Sequence, residues 1–548
     1  LNNPSAGRAR AIRRPHVAVT ALAFSLLAVA LIVYYMAVLR VDLHNSWIRN
    51  LDPHPDADEY VASAISAARE GTFWIHNAGR MVPSRYPFGF PLLMAPLVWL
   101  GVEPVTVSVR FNQLLGLVIV LAAFYVFWRA GDRLAAGLTS LFMATMPGLL
   151  TLSRSTMSDE LGAAIIVAAL YCYWRYVRST PGHLTWGIAG SALLALGIWV
   201  RTPNLMYLSL LAGVGLFGQP GSWRQRIRTT AVFGLAFLVA VSPVLVYNHL
   251  SFDHPLKTGY DYWLPQPDGG SSTSPIVAFA PTTQRAGFQG WNIMNELIQR
   301  ERGMNMAVMF GIGSYLNPTL VLLTIVSAIM AVRTRDRASV VIGGAAVVAF
   351  LPVLLLRTHD IRNWFVFPLI MPFVVGRQMS RLFRDAVRPS RRDWGTIVAA
   401  VFLCAAAAAG WPGERGTFET ARLMRVAHFR GHAGLYEAVT HLGRLTETNR
   451  TLVITDFNTS YVYALTDGDR IISPYRAHEM PTFNQDWFPP EARRAQLREA
   501  LSSGRTVYAL LMRRPPEQFV PAPKGYEWDE VWRGRGKRGA VIARLVKQ

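Results

Sequence analysis

Charge is scarce in this chain of 548 residues. Only 16% are Asp, Glu, Lys or Arg, against about 25% in an average soluble protein. Lysine is nearly missing and occurs only at 257, 524, 537 and 547. There are two cysteines, Cys172 and Cys404, each in an apolar run and far apart. They predict free buried thiols and exclude a disulfide framework. No P-loop or Rossmann glycine signature is present, so no cradle for a soluble nucleotide is expected. Neither internal repeats nor low-complexity segments occur. Hydrophobic residues make up 51% of the chain, which excludes disordered and collagen-like classes.

What is abundant is long apolar sequence. Residues 17–39 carry no charge, enough to cross about 30 Å of hydrocarbon. Arg8, Arg10, Arg13 and Arg14 precede this run. Its length and the lack of a small-residue cleavage site predict an uncleaved anchor. Further apolar segments fall near 111–128, 134–152, 161–177, 184–200, 204–217, 229–247, 306–332, 338–356, 363–375 and 394–411. The expected fold is a polytopic α-helical membrane domain of roughly eleven transmembrane helices over 1–411. Residues 412–548 are expected to form a soluble α/β domain outside the membrane. Candidate strands there are Thr451–Thr455, Arg470–Ser473, Thr506–Met512 and Ala540–Leu545. Candidate helices are Phe418–Leu445 and Pro490–Leu501, with Gly, Pro and Asn between them.

Lys and Arg number 55 against 34 acids, a net +21. Nucleic acid is one reading of such an excess, but position argues for topology. With the N-terminus cytoplasmic, the inner segments hold 20 basic residues in 64, and the outer segments up to 363 hold 14 in 146. Basic residues are denser inside, as the positive-inside rule requires. Nucleic acid is therefore not expected as a partner. The expected location is the cytoplasmic (inner) membrane, with the long loop 40–106 and the C-terminal domain on the outer side.

That loop carries Asp56-Ala57-Asp58-Glu59-Tyr60, then an amphipathic helix with Tyr60, Ala64, Ile65 and Ala68 on one side and Gly71 at its end. Two readings fit. Asp56 and Glu59 form a capping box, or the acids at this membrane exit include a general base that meets both lipid and water. Arg85-Tyr86-Pro87-Phe88-Gly89-Phe90-Pro91 follows, a tight re-entry point. Arg85 suits either a substrate phosphate or a lipid headgroup. Ser158-Asp159-Glu160 lies in the second outer loop, as helix caps or as partners of the first acids. Arg357-Thr358-His359-Asp360-Ile361-Arg362 lies at a late outer edge, fit for a phosphate or for solvent. Arg110, Arg154, Arg201 and Lys257 are further outer-edge cations. The loop 248–303 contains Gly259-Tyr260-Asp261-Tyr262-Trp263, either a sugar-stacking gate or an inert surface loop.

At these residues the chain resembles the GT-C superfamily of integral-membrane glycosyltransferases. Within it, the chain resembles lipid A aminoarabinose transferases and dolichyl-phosphate-mannose protein mannosyltransferases. Asp56, Tyr60, Ala64 and Gly71 follow that family's spacing from the first-loop acid into the interfacial helix. RYPFGFPLLMAPL at 85–97 resembles its basic–Tyr-Pro-Pro-Gly-Tyr-Pro-Leu-Leu segment. Asp159-Glu160 match its second acidic motif, and Arg362-Asn363-Trp364 through Pro372 its late Arg-Tyr…Pro…Pro stretch. One departure is Ala57, where many relatives have Glu directly after the first Asp.

The resemblance implies an inverting transfer of one sugar, hexosyl or pentosyl, from a polyprenyl-phosphate donor to a hydroxyl on a glycan, lipid or protein acceptor at the outer face. It implies Asp56 or Asp58 as the base, with Asp159 and Glu160 at the site. Arg85, Arg362, Arg357 and Lys257 are implied at the donor phosphate, and Tyr60, Tyr86, His359 and Tyr260 at sugar or acceptor. A divalent metal ion is left open; Asp56, Asp58 and Asp159 are the residues to hold one. The competing reading is a transporter or flippase for a lipid-linked or envelope glycan. An ion-coupled carrier places ionisable groups near mid-membrane, whereas here they fall at helix ends and in loops.

Overall fold

The structure is a computed structural model. It describes residues 5–43, 56–77, 80–179, 183–259, 366–386, 433–446, 451–455, 470–472, 490–511, 521–534 and 540–548, with isolated residues between.

Helix α1 spans Ser5–Tyr34 and runs on as a π-helical turn over Tyr35–Leu39. Helix α2 is Asp56–Glu70, and Gly71 ends it at φ +70°, a conformation open to glycine at no steric cost. A hairpin of β1 (Trp74–Asn77) and β2 (Arg80–Pro83) leads to α3, Gly89–Trp99. Leu92, Leu93, Leu97 and Trp99 of this short apolar helix are exposed. A Cβ on Gly89 would lie 2.5 Å from the Trp199 carbonyl oxygen, so the tight re-entry expected there depends on glycine.

Helix α4 spans Pro104–Arg129, with Pro at its first position and Glu103 accepting from the backbone N–H groups of Val105 and Thr106. Helices α5 (Arg133–Ala144) and α6 (Pro147–Leu152) replace the single span expected over 134–152. Pro147 forces Met146 into extended backbone, φ −70° and ψ 118°, because the residue before proline is disfavoured in the helical region. Next come α7 (Asp159–Arg178) and α8 (Leu184–Val200). The segment expected as one span over 204–217 divides into a 3₁₀ turn at Thr202–Tyr207 and α9, Leu208–Phe217. Helix α10 runs Trp223–Phe252, and α11 runs Val366–Ala386.

Among the described residues, three segments are long and apolar enough to cross a membrane: Val17–Leu39, Pro104–Arg129 and Trp223–Phe252. Their outward faces carry exposed Phe24, Ile32, Leu114, Val118, Leu235 and Leu238, the surface expected of helices facing lipid. The expected spans 306–332, 338–356 and 394–411 lie outside the described residues apart from isolated positions. Cys172 is a free, buried cysteine, as expected; Cys404 is outside the described residues.

The C-terminal region contains α12 (Ala433–Leu445), β3 (Thr451–Thr455), β4 (Arg470–Ile472), α13 (Pro490–Ser502), β5 (Thr506–Leu511), β6 (Tyr526–Arg533) and β7 (Val541–Lys547). The strands form one sheet in the order β4-β3-β5-β7-β6. β3 pairs in parallel with β4 and β5, whereas β7 is antiparallel to β5 and β6. β6 was not expected. It is an edge strand whose acidic residues 527, 529 and 530 mask its apolar alternation and guard the edge. The C-terminal region reaches the 40–106 segment through Tyr463, which donates to Glu70 Oε1 at 3.1 Å and stacks on His76 at 4.3 Å.

Candidate active site

The first turn of α2 is acidic, with Asp56, Asp58 and Glu59. On a helix, residues three and four apart share a face, so Asp56, Glu59 and Tyr60 point one way and Asp58 another. The loop entering α3 meets that face with consecutive residues. Tyr86 Oη donates to Asp56 Oδ1. The Arg85 guanidinium sits 2.9 Å from Glu59 Oε1, and the Arg85 backbone N–H donates to Glu59 Oε2 at 3.1 Å. Both side chains of this ion pair are buried. Burial pushes the Glu59 carboxyl up to about 7, with Arg85 pulling it back and Asp58 pushing it further. The capping-box reading of Glu59 is thereby corrected: its carboxylate is turned to Arg85, with Asp56 in the first turn of the helix. The cause is a partner 26 residues away in sequence, which no local pattern contains.

The two aspartates differ in access. Asp56 is half-buried, whereas Asp58 has no exposed surface. Beneath Asp56, the Tyr60 ring packs 4.9 Å from Tyr86 and 5.4 Å from Phe90. Tyr60 and Tyr86 are thus bound to the site's own walls, Tyr60 Oη accepting from Ser158 Oγ at 2.5 Å. This bond joins the first acidic loop to the second.

The second loop is held by Asn112 of α4, whose Nδ2 donates to the Ser155 and Met157 carbonyls at 2.8 Å. Asp159 opens α7 and pairs with Arg201 Nη1 at 2.7 Å. The Arg201 turn approaches α7 over Gly162, where a Cβ would come within 3.2 Å of Arg201 Cδ. Glu160 is fully buried and accepts from Ser153 Oγ at 2.7 Å. Gly116 makes room for this contact, since a Cβ there would overlap Tyr34 Oη, Ser153 Oγ and Glu160 Oε1. Arg154 lies buried nearby, and burial pushes its guanidinium down to about 10. Arg110 donates to Gln113 Oε1 at 2.7 Å.

Lys257 is half-buried in the turn after α10. Gly259, two residues on, lies against the Ser84 and Arg85 carbonyls so closely that a Cβ would collide with them. The Lys257 turn is thereby brought to the Arg85 loop. Tyr260, Arg357, His359 and Arg362 lie outside the described residues. Among the described residues no group of three or more His, Cys, Asp or Glu is arranged to hold a metal ion, so Asp56, Asp58 and Asp159 do not converge into such a set.

The structure adds Ser153 and Asn112, which carry no sequence signal, and gives new partners to Glu59, read from sequence as a capping residue or one of the acids at the membrane exit, and to Ser158, which opens the second acidic motif.

Residues 102–254 match the family described as dolichyl-phosphate-mannose-protein mannosyltransferase. A search of curated proteins by sequence gives no significant match. Among solved structures, the chain is similar to ArnT from Cupriavidus metallidurans in the apo state, with 13% identity and TM-score 0.59, covering 96% of this chain and 98% of that one. The same protein bound to undecaprenyl phosphate gives 14% identity and TM-score 0.60, covering 95% and 97%. The Archaeoglobus fulgidus oligosaccharyltransferase AglB, in complex with an inhibitory peptide and a dolichol-phosphate, gives 12% identity and TM-score 0.52, covering 89% of this chain and 69% of that one. In fold, the chain resembles the GT-C glycosyltransferases.

Proposed function

We propose that this protein is an inverting glycosyltransferase of the cytoplasmic membrane that moves one sugar from a polyprenyl-phosphate donor to a hydroxyl acceptor at the outer face. The observation that carries this reading is the meeting of Asp56 with the Arg85–Tyr86 loop at the start of an interfacial helix. A half-buried carboxylate there lies beside a cation held in a fixed place. The family match over 102–254 and the likeness to a fold solved with undecaprenyl phosphate support it.

In this reading Asp56 accepts the proton of the acceptor hydroxyl. The oxygen attacks the anomeric carbon, and the bond from that carbon to the lipid phosphate oxygen breaks. The electron pair leaves with the phosphate, and the anomeric centre inverts. Charge grows on the departing phosphate, and Arg85 and Lys257 are assigned to stabilise it. Arg357 and Arg362 are assigned to the same phosphate, and His359 and Tyr260 to sugar or acceptor, from sequence alone. Tyr60 and Tyr86 shape the wall around Asp56. Asp159 holds Arg201 at the rim, and Glu160 braces the second loop. Residues 1–411 form the roughly eleven-helix catalytic domain in this proposal, and 412–548 the outer α/β domain.

Purified full-length protein, given a radiolabelled sugar on undecaprenyl phosphate and an envelope-glycan acceptor fraction, transfers label with inversion at the anomeric carbon. Label that crosses a vesicle membrane while still attached to its lipid identifies a flippase instead. Reporters fused after Gln548 are active only outside the cytoplasm; a cytoplasmic signal places the site on the wrong face and ends the proposal.

A further inference from the structure

We propose that Glu59 is a positioning residue for donor binding: it sets Arg85 against the phosphate of the lipid carrier. This rests on the reading of Arg85 as a phosphate ligand. Glu59 grips Arg85 twice, at the guanidinium (2.9 Å) and at the backbone N–H (3.1 Å). A counter-ion that merely neutralised the guanidinium would have no need of the main chain. The double grip fixes where residue 85 stands as well as where its side chain points. The next residue, Tyr86, is tied to Asp56 one helical turn earlier on the same face of α2. Proton acceptor and phosphate ligand are therefore registered on one rigid helix turn.

Chemistry favours this division of labour. A guanidinium carries five N–H donors in a rigid fork, so a carboxylate at one nitrogen orients the fork for an anion at another. A free arginine on a re-entrant loop would lose rotamer freedom on each binding event; one already held by Glu59 does not. Gly259 packs on the Ser84 and Arg85 carbonyls from the other side, so the loop is held between α2 and the Lys257 turn.

The test measures the Kd of undecaprenyl phosphate, without sugar, together with KM and kcat for the sugar-loaded donor, in purified full-length protein. Glu59→Ala is expected to raise Kd and KM at least tenfold and to lower kcat as well, because Arg85 also stabilises the departing phosphate. Glu59→Gln, whose amide oxygen still accepts one N–H, is expected to recover most of that loss. In an Arg85→Ala background, Glu59→Gln is expected to change Kd no further, since its effect passes through Arg85. Tighter binding in Glu59→Gln makes Glu59 a competitor of the phosphate and overturns the proposal. Additive effects of the two substitutions overturn it equally. Should Glu59→Ala not fold, Glu59→Gln and the double variant decide alone. Arg85→Ala that binds undecaprenyl phosphate as wild type does removes the phosphate reading itself, a result distinct from the other two.

Discussion

Asp56 is half-buried and meets a phenol, whereas Asp159, at the start of a neighbouring helix, is 1% exposed and meets the Arg201 guanidinium at 2.7 Å. Both are aspartates at the first position of a helix, and both stand in loops assigned to the same membrane side. What separates them is commitment. A phenol donates one hydrogen bond and leaves the carboxylate its charge and some contact with water. A buried guanidinium neutralises its partner, and breaking that pair strands a charge in a medium that solvates it poorly. The acid fit to take a proton during turnover is therefore the less buried one. The same contrast divides Asp56 from Asp58 two residues on. Two residues turn a helical side chain by about 200°, so the two carboxylates leave α2 in different directions, and Asp58 has no exposed surface.

The largest expected effect tests the first half of this contrast. Asp56→Asn keeps an oxygen to accept from Tyr86 but cannot take a proton. It is expected to fold, to bind undecaprenyl phosphate and to lose about 10²–10⁴-fold in transfer, the range for a general base. Asp58→Asn is expected to lose less. Single-turnover rates of the two variants measure this, and a dead Asp58→Asn beside an active Asp56→Asn exchanges the roles.

The second half is tested through stability. Asp159→Ala leaves Arg201 without its carboxylate. Breaking a buried pair costs ~3–5 kcal/mol, and Arg201 keeps 13% of its side-chain surface, so a loss near the lower end is expected. Thermal unfolding in detergent measures it. An unchanged melting temperature with abolished transfer makes Asp159 a reacting group and collapses the contrast.

Much of the scaffold for this contrast was legible in the chain itself. The end of α2 at Gly71 follows from glycine alone, and β3, β5 and β7 follow from dense β-branched and apolar runs. Pro147 was equally visible, yet the apolar run 134–152 reads as one span unless the residue before proline is given its extended preference. The site divides in the same way. Asp56, Arg85 and Asp159 carry recognisable spacing. Their partners do not, because Glu59–Arg85 and Asp159–Arg201 join residues 26 and 42 apart. A capping box explains Glu59 from four residues of context. Only the approach of the 84–88 loop to α2 replaces that explanation, and the approach is set by packing of Tyr60, Tyr86 and Phe90 rather than by any local pattern.

The smallest expected effect probes the phenol that distinguishes Asp56. Tyr86→Phe removes the hydroxyl but keeps the ring against Tyr60. The Asp56 carboxylate then loses one donor, while its exposed side lets water replace it. A net hydrogen bond is worth ~0.5–1.5 kcal/mol, so transfer is expected to change by roughly 2–10-fold. A phenol that orients Asp56 slows transfer when removed, because the carboxylate gains freedom. Single-turnover rates of Tyr86→Phe measure this. A variant with wild-type rate would mean that the phenol does not govern Asp56, and the difference between the two aspartates would then rest on burial alone.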